Sequence, residues 1–251
     1  MRITKPFFLA TAAALAGCAS QQVAVREPLP ANKSVLLVLV GGNSEARSPG
    51  GIMKVYGGRE SFSSSYLAAM FRKHGINPAL VQPYYFSWTG DDEDDKGLLP
   101  SHWSWITGGD ERIAETLKKP LLSLSGTQQL VVMGWSNGGA TAYDLSCGLA
   151  SFRPVDLLIT LDPVSRTTRS CQGPVARRWL NAYTASGPGD RFKTGNIIAF
   201  LGGAWDDDKL PSQPTASKKL DGANHGDSKR LLEERIEQEA SFKAWVSQVP
   251  K

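Results

Sequence analysis

Apolar positions along this chain follow two patterns. Some runs are short and apolar at nearly every position. Others are apolar at every third or fourth position. "SVLLVLVGG" (34–42) is continuous and ends in glycines, as expected of a strand buried on both faces. "PALVQPYYFSW" (78–88), "QQLVVMGW" (128–135) and "VDLLITLDP" (155–163) predict a second, third and fourth strand. "RRWLNAYTA" (177–185) and "NIIAFLGG" (196–203) are candidates for further strands. Between these runs the period changes. "SFSSSYLAAMFRKHG" (61–75) sets Phe62, Tyr66, Met70 and Phe71 at helical spacing, with Gly75 as the stop. "GDERIAETLKK" (109–119) predicts a helix with Asp110 as N-cap, kinked or ended by Pro120. "GGATAYDLSCGLA" (138–150) predicts another. "DSKRLLEERIEQEASFKAWVSQV" (227–249) predicts a closing helix, with Asp227 as N-cap and Leu232, Ile236, Phe242 and Trp245 roughly on one side. There is no internal repeat.

Strands alternating with helices imply an α/β fold: a mostly parallel sheet with helices on both faces. Such sheets carry ligand chemistry at the carboxyl ends of their strands. The polar residues just after each apolar run are therefore the ones to inspect.

Composition narrows this only slightly. The chain has 251 residues, 41% hydrophobic and 21% charged, which suits one α/β domain. A formal net charge of +4 gives no electrostatic case for nucleic acid. There is no zinc-type Cys/His spacing and no phosphate-loop pattern.

The N-terminus changes the picture more. Residues 1–17 have a basic start (Arg2, Lys5) and a short apolar run from Phe7 to Leu15, the pattern of a secretory signal peptide rather than a spanning helix. Leu15-Ala16-Gly17-Cys18 resembles a bacterial lipobox, which implies that Cys18 becomes the acylated first residue of a lipoprotein. By resemblance to lipoprotein sorting in enteric bacteria, Ala19 after that cysteine implies the outer membrane, facing the periplasm. Residues 18–33 are polar with two prolines and read as a tether, leaving 34–251 as the folded domain. With Cys18 committed to lipid, Cys147 and Cys171 remain. An even pair in an oxidising compartment predicts one disulfide.

The chemistry centres on "VVMGWSNGGA" (131–140). Gly134-Trp135-Ser136-Asn137-Gly138 sits between an apolar strand and a helix. There, glycines flanking a serine allow strand and helix to approach closely, and the sharp turn lifts the hydroxyl above the sheet edge. Ser136 is thus a candidate nucleophile, and it needs a base to accept its proton. Three histidines are available. His74 ends the first helix, where a cation suits the helix dipole and a capping role suffices. His102 lies in the loop "LPSHWSW". His225 lies in "GANHGDS", directly before the last helix, and is the candidate base. For the acid that orients the imidazole, Asp162 follows the fourth strand, whereas Asp156 opens it and faces the wrong end of the sheet. The rivals are Asp206-Asp207-Asp208 and Asp190.

"GWSNGG", "LITLDPV" and "NHGD", in this order, resemble the α/β-hydrolase superfamily. They are most similar to the small serine lipases and esterases whose acid follows the strand after the nucleophile helix. The similarity covers about residues 34–248. In that family's order, serine then acid then histidine, only His225 lies downstream of both partners. The resemblance implies a serine hydrolase of acyl esters with Ser136 as nucleophile, His225 as base and Asp162 as acid, requiring no metal and no organic cofactor. Two backbone N–H donors must stabilise the oxyanion. One is expected from Asn137, the other from Gly42 or Asn43 in "GGNSEARSPGG". Two positions depart from the family pattern: Trp135 stands where a histidine is common, and the first strand ends "VGGNS" instead of in His-Gly.

Trp135 and Trp88 are candidates to contact a small-molecule or lipid ester substrate. Trp103 and Trp105 are candidates for a small lid. The run 91–95 reads as a solvated acidic loop, and the short link after the fourth strand leaves no room for a large cap domain. A thioesterase, amidase or phospholipase would use the same three residues. A different class is a non-catalytic envelope lipoprotein that keeps the fold for binding.

Overall fold

The computed structural model describes residues 32–42, 45–48, 52–55, 59–60, 62, 64–86, 117–166, 171, 174–184 and 203–251. Expectations for residues 1–31 (signal peptide, Cys18 and most of the tether) fall outside these. So do those for Asn43, Trp88, 91–95, His102, Trp103, Trp105, Asp110, Asp190 and, apart from Gly203, the strand at 196–203.

Among the described residues, six strands form one parallel sheet. They are β1 (Val35–Val40), β5 (Val81–Phe86), β6 (Gln129–Trp135), β7 (Leu157–Leu161), β8 (Trp179–Thr184) and β9 (Ala216–Leu220). Their spatial order is β5-β1-β6-β7-β8-β9, and every neighbouring pair is parallel. The α/β architecture expected from the sequence is the one observed.

The continuous apolar runs are explained by burial on two sides. Along β1, Val35, Leu37 and Leu39 enter one core, while Leu36, Val38 and Val40 enter the other. Every residue of β1 is buried. Each such aliphatic side chain withdrawn from water stabilises the fold by about 1.5–3 kcal/mol before the entropy of ordering it is set against that. The first core is closed by Leu67 and Phe71 of α1 (Ser64–Lys73) and by Phe242 and Trp245 of the last helix. The second is closed by Leu117 and Leu121 of α2 (117–123) and by Tyr143, Leu145 and Leu149 of α3 (Asn137–Leu149). Helices therefore cover both faces. Among the described residues, no helix is long and apolar enough to cross a membrane.

Several elements differ from the sequence expectation. Three short strands, β2 (Glu45–Ser48), β3 (Ile52–Val55) and β4 (Arg59–Glu60), form a separate antiparallel sheet where a glycine-rich loop is expected. Edge strand β9, "ASKKL", has only Leu220 buried, so it carries no apolar run to betray it. Residues 78–80 form a 3₁₀ turn, capped by the Asn77 side chain accepting from the Ala79 N–H, and the strand begins only at Val81. Helix α2 runs through Pro120 to residue 123 instead of ending there.

The closing helix is not continuous. It divides into α4 (Ser228–Leu231), a π-helical turn (Leu232–Ile236) and α5 (Ala240–Val246), with Glu239 extended at ψ 136°. Buried Glu237 sits at the break. Its Oε2 accepts from Lys73 Nζ at 2.6 Å and pairs with His74 Nε2 at 2.8 Å. This carboxylate holds the Lys73 ammonium above its ordinary pKa. The His74 side chain is thus engaged by Glu237 instead of capping α1. Asp227 occupies the N-cap position of α4, but its carboxylate accepts from Asn224 N–H and not from the helix.

Candidate active site

The register of the parallel sheet sets the site. Trp135 pairs with Leu161, and Leu161 with Ala182. The residues that follow these strands are therefore neighbours at the carboxyl edge. Ser136 lies between β6 and α3 with φ 57° and ψ −131°, a positive φ that L residues avoid. The flanking glycines make this turn feasible. A Cβ on Gly134 would lie 2.0 Å from the Gly138 carbonyl oxygen, and one on Gly138 would lie 2.3 Å from that of Val40. Either would separate the strand from the helix. The turn is tied to the next strand: Ser136 N–H donates to Leu161 O at 3.0 Å, and Val164 N–H donates to Ser136 O at 3.1 Å.

Asp162, with φ 42°, leaves β7 in a second strained turn. Its N–H donates to Ala182 O at 2.6 Å. Its carboxylate is buried and fully engaged. Oδ1 accepts from Thr184 N–H at 2.8 Å, and the Thr184 hydroxyl reaches both oxygens at 3.2–3.3 Å. Oδ2 is 2.6 Å from His225 Nδ1, and His225 Nε2 is 2.8 Å from Ser136 Oγ. An ionised carboxylate only accepts, so Nδ1 carries the hydrogen and Nε2 is left to accept from the serine hydroxyl. The three residues form one hydrogen-bonded chain, each member at most 6% exposed.

Two of the expected donor residues, Asn137 and Gly42, adjoin the Ser136 turn. Asn137 is the first residue of α3, where N–H groups have no intrahelical acceptor. Gly42 is buried against the turn, and a Cβ there would meet Ser136 Cβ at 3.0 Å. A side chain at position 42 would crowd the nucleophile.

Other candidates lie elsewhere. Asp207 accepts from the Tyr183 hydroxyl at 2.7 Å, and Asp206 pairs with Lys209. The Ser217 and Tyr183 hydroxyls hold the Asp207 carboxyl below its ordinary pKa, while burial first and Asp207 second push the Tyr183 phenol up. Asp156 is buried at the amino end of β7, where it accepts from Leu130 N–H and pairs with Arg177 at 3.0 Å. Trp135 is expected to meet substrate, but its indole is 6% exposed and packs against the ring of His225. Thr184 is absent from the sequence reading, because nothing local marks a threonine at a strand end as a carboxylate's partner. Cys147 and Cys171 are bonded, with Cα atoms 5.8 Å apart, tying α3 to the segment that follows Asp162. Among the described residues, no group of three or more His, Cys, Asp or Glu side chains is placed to hold a metal ion.

No protein-family model matches the chain, and no curated protein sequence matches it. Solved structures do. A dienelactone hydrolase from Anabaena variabilis ATCC 29413 is similar at 14% identity and TM-score 0.51, over 89% of this chain and 90% of its own. A lidless α/β serine hydrolase from Xanthomonas campestris is 16% identical, with TM-score 0.46 over 92% of this chain and 89% of its own. Acyl-protein thioesterase 2 from Zea mays is 14% identical, with TM-score 0.45 over 91% of this chain and 98% of its own. The fold is that of the α/β-hydrolases. Its strand ends carry a buried serine–histidine–aspartate chain.

Proposed function

We propose that the protein is a serine hydrolase of acyl esters, of carboxylesterase or lipase type. The observation that carries this reading is the continuous hydrogen-bond chain from Ser136 Oγ through His225 to Asp162. As the ester carbonyl approaches, the Ser136 hydroxyl passes its proton to His225 Nε2 and Oγ bonds to the carbonyl carbon. The carbonyl oxygen gains negative charge. The Asn137 N–H and a second N–H, from Gly42 or Asn43, donate to it. His225 then protonates the departing alcohol, leaving Ser136 acylated. Water, deprotonated by the same nitrogen, attacks the acyl carbon and frees the acid. Throughout, Asp162 keeps the imidazole in the Nδ1–H tautomer and stabilises its protonated form. No step calls for a metal or cofactor.

The lipid anchor is part of the same proposal. Acylated at Cys18 and tethered through residues 18–33, the domain would sit in a bacterial envelope, at the outer membrane facing the periplasm. The entry point of the tether is consistent with this. Lys33 is fixed at the amino edge of the sheet, its carbonyl accepting from Gln128 Nε2 at 2.6 Å, on the opposite edge from Ser136. Mass spectrometry of the mature N-terminus is expected to find a diacylglyceryl-modified Cys18; an unmodified residue would reject the anchor.

A fluorophosphonate probe is expected to label the wild-type protein and not Ser136→Ala. A p-nitrophenyl ester series from acetate to palmitate is expected to turn over, with the serine variant slower by about 10⁵–10⁶-fold. Folded wild type that takes no label and cleaves no ester would mark the chain as a non-catalytic lipoprotein. Preferential cleavage of thioesters, amides or phospholipids would move the reading to those classes.

A further inference from the structure

We infer that Trp135 is a positioning residue for His225, one that fixes the loop bearing the base and does not itself meet substrate. The inference rests on the triad reading given above. His225 lies in a loop between β9 and α4, 89 positions along the chain from the serine it must meet. Such a loop holds its imidazole in place only if its backbone is held too. Trp135 supplies that hold. Its indole Nε1–H donates to the His225 carbonyl oxygen at 2.8 Å, in a buried bond spanning 90 positions. A buried carbonyl left without a donor is unfavourable, so this bond ties the loop to the end of β6.

The same indole also restrains the imidazole ring. The two ring centroids are 5.2 Å apart, with planes inclined by 31°. The contact limits rocking of the imidazole about its side-chain bonds while Asp162 and Ser136 define its two nitrogens. The indole also adjoins the turn after β1: a Cβ on Gly42 would lie 2.9 Å from Trp135 Cε3. One rigid side chain thus sets the spacing between the loop carrying the base and the loop carrying Gly42. Trp135 is adjacent to the nucleophile in sequence, so all three parts of the site are referenced to the same turn. Its ring enters the first core with Val131 and Met133, and its one polar atom is already committed. It has neither surface nor donor to offer a substrate.

Trp135→Phe keeps an aromatic face but removes the donor, and Trp135→Leu removes both. In the full mature chain we expect kcat on p-nitrophenyl acetate to fall about 10-fold in Trp135→Phe and about 100-fold in Trp135→Leu, because misplacing a catalytic group by roughly 1 Å costs on that order. KM is expected to stay within about 2-fold, the signature of lost positioning instead of lost substrate binding. The second readout is the ¹⁵N spectrum of histidine-labelled protein. In wild type the His225 ring is expected to show one Nδ1–H tautomer; in Trp135→Leu it is expected to show exchange between tautomers while His74, held by Glu237, is unchanged. Unchanged kcat in folded Trp135→Leu, or a rise in KM with kcat intact, overturns the inference. Fluorophosphonate labelling of wild type separates the two levels. If Ser136 is not labelled, the hydrolase reading fails and this inference with it; if it is labelled and both variants keep wild-type kcat, only the inference fails.

Discussion

Strand β7 carries a buried aspartate just beyond each end, and the two have opposite surroundings. Asp156 precedes the strand and Asp162 follows it, each 1% exposed. Asp156 is neutralised by cations. Arg177 lies 3.0 Å away and Arg153 3.7 Å away, while Leu130 N–H fills a further acceptor position. Arginine does not deprotonate, so this carboxylate has no partner with which to exchange a proton. Asp162 is held by a backbone N–H, a hydroxyl and an imidazole, a ring with one nitrogen toward the carboxylate and the other toward Ser136 Oγ. Asp162 also sits at positive φ, whereas Asp156 does not. Burial alone therefore does not distinguish a structural acid from a reactive one. What sets Asp162 apart is a partner that is itself hydrogen-bonded to a serine, together with a strained backbone at the carboxyl edge of the sheet.

The comparison breaks most sharply at Asp162. Asp162→Asn is expected to leave the fold intact and to lower kcat about 10³–10⁴-fold, because an amide no longer selects the Nδ1–H tautomer or stabilises imidazolium. Ester turnover beside circular dichroism checks it; a loss below 10-fold would remove Asp162 from the triad. Asp156→Asn is expected to do the reverse. It should cost about 2 kcal/mol of stability, less than a fully buried pair because Arg177 is largely exposed, and should leave kcat of the folded protein unchanged. Urea denaturation measures the first quantity and the ester assay the second.

Thr184 sharpens the same contrast. Thr184→Val keeps the backbone donor to Oδ1 and deletes the hydroxyl that touches both Asp162 oxygens. Activity is expected to fall about 3- to 10-fold, roughly 1 kcal/mol of lost orientation. The smallest effect belongs to a rival acid, Asp207. Hydroxyls of Ser217 and Tyr183 hold its folded carboxyl below the ordinary value. Its stabilising contribution is therefore complete above the unfolded pKa of about 3.9 and is lost as pH falls from there through the lower folded value. Asp207→Asn is expected to flatten the acid limb of the stability curve slightly, in thermal melts between about pH 5 and 3, without altering catalysis.

Some of this was legible from local pattern. Continuous apolar runs marked β1, β6 and β7, because strands covered on both faces have no polar side to display. The serine between glycines marked a turn where strand and helix touch, and the sub-3 Å clearances at Gly134 and Gly138 explain those glycines. Edge strand β9 was missed because an edge is half in water and "ASKKL" has neither an apolar run nor an alternation to mark it. The break in the closing helix was missed because periodicity registers which side chains are buried, not whether the backbone between them stays helical. There, burial of Glu237 against Lys73 and His74 coincides with the interruption.

The amino-acid sequence by itself determined the alternation of strands and helices, the close-packed turn at Ser136 and a short set of acids and histidines from which a site could be drawn. Each follows from interactions between residues a few positions apart. Only the tertiary structure decided which members of that set meet. Parallel register brings Ser136, Asp162 and Thr184 to one edge, and it sends Asp156 to the other. Packing turned Trp135 inward onto His225, a pairing across 90 positions that no local pattern encodes. Such contacts depend on how strands are ordered in space, and that order is set by the burial of the whole sheet at once.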